Sequence, residues 1–102
     1  MTKIRNLFEL VEFPKEGILS KTITEKPSGE VSIFMVPKGE KISSHTSSRD
    51  ATVQIIRGEA DWQLGDDWSR VKPGDWFFMP AGLLHAINAV EDLVFLLTLF
   101  GQ

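Results

Sequence analysis

The feature that most constrains this chain is how often glycine and proline interrupt it. From residue 18 onward, short apolar and β-branched runs alternate with Gly/Pro-bearing turns, and no run carries the period of an amphipathic helix. Ile18–Thr24 reads as a strand, with Lys26-Pro27-Ser28-Gly29 as the turn that follows it. Val31–Val36 reads as a second strand, stopped by Pro37-Lys38-Gly39. After a polar stretch, Ser43–Asp50, comes Thr52–Ile56, ended by Arg57-Gly58. Ala60–Leu64 and Trp68–Val71 form a hairpin candidate around Gly65-Asp66-Asp67. Lys72-Pro73-Gly74-Asp75 precedes Trp76–Met79, and Pro80-Ala81-Gly82 precedes Leu84–Val90 and Leu93–Phe100. Such punctuation predicts an all-β sandwich or barrel of two antiparallel sheets. Asn6–Phe13 fits either a short helical turn or an edge strand.

At 102 residues the chain is one domain's worth, residues 1–102, with the barrel at about 18–100 and segment 1–17 as an edge or dimer-arm extension. A hydrophobic share of 42% closes one modest core. The net charge of -3 points to neither nucleic acid nor an anionic membrane as partner. With no cysteine, a disulfide framework, a thiolate metal site and a cysteine nucleophile are all excluded. No apolar run approaches the length of about 18 residues that a membrane span requires, and residues 1–12 lack a signal-peptide pattern. A cytoplasmic protein is the expectation.

Two spacings carry more information. One runs Gly39, five residues, His45-Thr46-Ser47, three residues, Ala51, six residues, Gly58. The other runs Gly74, five residues, Pro80-Ala81-Gly82, two residues, His85, three residues, Ala89. Together they resemble the two motifs of the cupin family, every glycine and the proline being in register, over roughly Val31 to Phe100. The resemblance implies a small single-domain cupin, a double-stranded β-helix or jelly-roll barrel. It also implies that His45 and His85 point into the barrel mouth.

The departures bear directly on function. Where the family's metal-binding members carry a second histidine and a glutamate, this chain has Ser47 and Ala51, and Ala89 stands in place of an asparagine. His45 and His85 alone remain of the implied ligand set. Two imidazoles plus water suit Zn²⁺, Ni²⁺ or Cu²⁺, weakly held, better than Fe²⁺ or Mn²⁺. Gln54 is the candidate third donor; strand alternation turns it away from position 51 unless a bulge intervenes. Ser47, Ala51 and Trp62 are expected to line the pocket, with Trp62 as an apolar wall beside His45. Either histidine also fits a general acid–base role or an ordinary hydrogen-bonded interior position.

Three functions stay open. The first is small-molecule binding in the mouth beside a partial metal site. The second is a metal-dependent enzyme of dioxygenase or isomerase type using His45 and His85, and the third is a dimeric structural module with no ligand. No nucleotide cofactor is expected. Leu93–Phe100 is apolar on both faces, so its outer face needs a cover, from the N-terminal segment or from a second subunit. A homodimer is the expectation.

Overall fold

A computed structural model describes residues 3–101. Its nine strands are β1 (Leu19–Lys26), β2 (Gly29–Val36), β3 (Lys41–His45), β4 (Ala51–Arg57), β5 (Ala60–Leu64), β6 (Asp67–Val71), β7 (Trp76–Met79), β8 (His85–Ala89) and β9 (Leu93–Phe100). They form two antiparallel sheets, in the orders β1-β2-β9-β4-β7 and β3-β8-β5-β6. Among the described residues, no helix is long and apolar enough to cross a membrane.

Strand alternation builds the interior. On β4, Ala51, Val53 and Ile55 are buried while Gln54 is exposed. On β9, Leu93 and Phe95 enter the same core as Val36, Ala60, Trp62, Val71, Met79, Ile87 and Ala89. Aromatic rings tie the two sheets together. Trp62 meets Phe77 and Phe95 edge to face at 4.9 and 5.1 Å, and Phe34 stacks on Phe95 at 4.9 Å.

The outer face of the longer sheet has its own small core of Ile33, Met35 and Val94. Leu7, Leu10, Val11 and Phe13 pack over it. Asn6 side-chain oxygen accepts from the Phe8 N–H at 2.9 Å and starts a single 3₁₀ turn, Leu7–Leu10. The helical-turn alternative for Asn6–Phe13 is therefore the one realised. The N-terminal segment is the cover that part of β9 required, while Met1 and Thr2 lie outside the described residues. At Gly58 the φ is +81°, and a Cβ would collide with the carbonyl oxygen of Asp92, so glycine is needed for both backbone angle and space.

β3 starts two residues before the stretch read as polar, Ser43–Asp50, and runs into it as far as His45. It is the edge strand of its sheet and almost wholly exposed, so it lacks the apolar alternation that marks a strand.

Candidate functional site

The register of β3 against β8 makes the site. Ile42 pairs with Ile87 and His45 pairs directly with His85, three residues on one strand facing two on the other. That offset is a β-bulge. Without it, Ile42 and His45 would face opposite sides of the sheet; with it, both turn toward the barrel interior, where they line one compartment. The two imidazoles lie 4.1 Å apart, centroid to centroid, at 62° to each other.

Backbone carbonyls fix both rings. His45 Nδ1 is 2.8 Å from the Ser43 carbonyl oxygen, and His85 Nδ1 is 2.9 Å from that of Leu83. A carbonyl only accepts, so each Nδ1 carries a proton and donates, and each neutral ring keeps its lone pair at Nε2. His45 is exposed at the mouth, while His85 is only 7% exposed. Burial pushes the His85 pKa below the usual histidine value. The bond to the Leu83 carbonyl opposes that shift and the neighbouring His45 adds to it.

Above the pair opens a cavity of about 430 Å³ lined by His45, Thr46, Ser47, Ser48, Arg49, Ala51, Met79, Pro80, His85, Leu97 and Leu99. The second motif's turn is laced to the loop before β4. The Gly82 N–H donates to the Ser47 carbonyl oxygen at 2.8 Å, and the Ala81 N–H donates to Asp50 Oδ1 at 2.8 Å. Arg49 closes the rim by donating to Glu30 at 2.9 Å, to the Phe100 carbonyl at 3.3 Å and to the Gly101 carbonyl. Its charge is thus largely engaged within the protein. Sequence reasoning passed over Arg49; its position in the polar run between His45 and Ala51 was the available signal.

His45, His85, Ser47 and Ala51 line one cavity. Gln54 does not. It is exposed and paired with Trp76 and Leu96 on the outer face, because the β4 irregularity falls between Ile55 and Arg57, beyond it. The bulge that serves the site is in β3 instead. Trp62 is also displaced from the expected position. It pairs with Ile87, two residues deeper than His85, and so floors the site rather than walling the mouth. Ser47 Oγ accepts from the Arg49 N–H at 3.1 Å and remains a weak neutral donor. Among the described residues, no cluster of three or more His, Cys, Asp or Glu is placed to hold a metal. The cavity lining holds two imidazoles and no carboxylate among the described residues.

A family model described as a cupin domain matches residues 32–99. An uncharacterized protein of Aquifex aeolicus is 27% identical over 104 residues, covering 97% of this chain and 84% of its own. Among solved structures, a conserved protein of unknown function from Streptococcus pyogenes aligns with a TM-score of 0.87 at 31% identity, over 100% of this chain and 90% of that one. A cupin superfamily protein from Desulfitobacterium hafniense aligns with a TM-score of 0.89 at 24% identity, over 100% and 94%, a likeness of fold.

Proposed function

The chain belongs to the cupin domain family, and on that premise we propose that it binds a small molecule in the barrel mouth, beside a weak divalent-metal site made by His45 and His85. One observation carries this reading. Both Nδ1 atoms are tied to backbone carbonyls at 2.8 and 2.9 Å, and the rings stand 4.1 Å apart beside one cavity. Carbonyl bonding at Nδ1 is how proteins orient an imidazole so that its Nε2 can ligate. The cavity of about 430 Å³ lies in the size range of small-molecule sites.

His45 and His85 would hold the ion, preferring Zn²⁺, Ni²⁺ or Cu²⁺ to Fe²⁺ or Mn²⁺ because no carboxylate lines the mouth. When bound, the ion supplies a Lewis-acid centre facing the cavity. Arg49, joined to Glu30 and the C-terminal carbonyls, holds the rim in shape. Met79, Leu97 and Leu99 give the mouth an apolar side.

The test is calorimetric titration of Zn²⁺ and Mn²⁺ into the native chain, His45→Ala and His85→Ala. The reading expects modest zinc affinity, weaker manganese binding, and loss of zinc binding in both variants. Zinc binding that survives in both variants, or none in the native chain, would overturn it. Tight manganese binding would instead favour the metal-dependent enzyme.

A further inference from the structure

The ladder between β3 and β8 ends at the pair His45 and His85. Beyond it the chain runs in two connections, 46–50 leading into β4 and 80–84 leading into β8. The second begins as a type II turn. Its Leu83 N–H donates to the Pro80 carbonyl at 3.1 Å, and Gly82 takes the left-handed φ of +84° that such a turn demands at its third position. The Leu83 carbonyl then receives the His85 Nδ1–H at 2.9 Å. Where the turn sits therefore decides where the His85 ring points. Three hydrogen bonds, each of 2.8 Å, tie residues 81–84 to their surroundings: Gly82 N–H to the Ser47 carbonyl, Gly65 N–H to the Leu84 carbonyl, and Ala81 N–H to Asp50 Oδ1. The last is the one in which a side chain takes part. Asp50 is itself braced, since its carbonyl accepts from the Phe100 N–H of β9 at 2.9 Å.

We propose that Asp50 is the positioning residue for His85. Its carboxylate holds the turn whose Leu83 carbonyl keeps the proton of the neutral ring on Nδ1, which leaves the Nε2 lone pair for a ligand at the mouth. The proposal rests on the reading of His85 as a ligand-presenting group. Asp50 is not among the residues that line the mouth, and it acts through the turn. His45 supplies the contrast. Its Nδ1 meets the Ser43 carbonyl inside β3, upstream of the connection that carries Asp50. Losing the Asp50 bond should therefore loosen His85 and leave His45 as it is. The role needs one accepting oxygen and no charge, so an asparagine Oδ1 can fill it. A neutral imidazole with no fixed partner has both tautomers open to it.

The test reads the ring nitrogens of ¹⁵N-labelled, untagged protein in chelator, above the histidine titration range. The chain has two histidines, and His45→Gln assigns their signals. In the native protein both rings should carry the proton on Nδ1. In Asp50→Ala the Nδ1–H to Nε2–H ratio of His85 should fall about threefold or more, within the worth of one hydrogen bond, while that of His45 holds. Asp50→Asn should restore the native ratio, and zinc affinity should follow the same order. Should Asp50→Ala fail to fold, Ala81→Pro removes the same bond from the donor side, proline being favoured at the second position of this turn, and should change His85 alike. A native His85 protonated on Nε2, an unchanged His85 in the variants, equal changes at both histidines, or no rescue by Asp50→Asn would overturn the proposal. The ring spectra need no metal. A native chain that binds no zinc removes the metal reading alone, and an indifferent His85 beside normal zinc binding removes the positioning role alone.

Discussion

Placing a histidine at Ser47 and a glutamate at Ala51 should convert the proposed weak metal site into a strong one. Ala51 is 2% exposed and lines the mouth with Ser47, His45 and His85, so Ser47→His and Ala51→Glu place an imidazole and a carboxylate there. Without metal the change is harmful. The carboxylate sits against Met79, Leu97 and Leu99, and a partly buried polar group without a partner costs about 1–3 kcal/mol. For a domain of this size, each kcal/mol moves the melting temperature by about 4–8 °C. Zinc reverses the sign. A hundredfold tighter affinity at fixed excess zinc adds about 2.7 kcal/mol, an extra rise of about 10–20 °C over the native response. The assay is thermal melting of the native chain, the double variant and the double variant with His45→Ala, each with zinc and with chelator. The double variant should melt lowest in chelator and show the largest zinc response, most of it lost with His45→Ala. Equal zinc responses in the native chain and the double variant would refute the assignment of Ser47 and Ala51 to ligand positions.

How much of this could be read beforehand follows from where the chain leaves a pattern. Ala60–Leu64, Trp76–Met79 and Leu93–Phe100 match β5, β7 and β9 in full, because each combines β-forming residues with a Gly- or Pro-bearing boundary or an apolar run. β3 left no such pattern, since an exposed edge strand has little core to alternate against. Its bulge left none either, although it decides which way His45 faces. The histidines were located through motif spacing rather than through local structure. Gln54 would turn inward only through a bulge before it, and the irregularity of β4 falls between Ile55 and Arg57, too late to turn it. For Trp62, alternation gives the face but not the depth, since it reports sides of a sheet and not the stagger that pairs Trp62 with Ile87. The N-terminal cover was legible only as a need: an apolar outer face on β9 does not say which segment will meet it.

Gly58→Ala should cost about 2 kcal/mol or more in thermal melts, combining left-handed backbone strain with the collision at Asp92, whereas Gly39→Ala, with open space at its Cβ, should cost less. Equal losses would show that backbone angle alone matters. The free edge strand β7 exposes Trp76 and Phe78 at 62% and 47%, and two copies pairing there would bury both rings. Sedimentation should give a dimer for the native chain and a monomer for Trp76→Lys/Phe78→Lys; a native monomer would dismiss that interface. The last expectation concerns His85, whose folded pKa is lowered by burial, against the Leu83 carbonyl, with His45 adding to the shift. Above the ordinary value of 6.5 both folded and unfolded chains hold His85 neutral, and it makes no difference to stability. As pH falls below that value the unfolded chain takes up the proton first, so it binds more protons than the folded one and stability declines. The decline continues until pH passes the lowered folded value and then levels off. Urea midpoints, followed by tryptophan fluorescence in chelator from neutral to mildly acid pH, should trace this fall. His85→Gln should flatten it above the range near pH 4 where carboxylates titrate. A fall of equal size in His85→Gln would mean that another group carries the acid sensitivity.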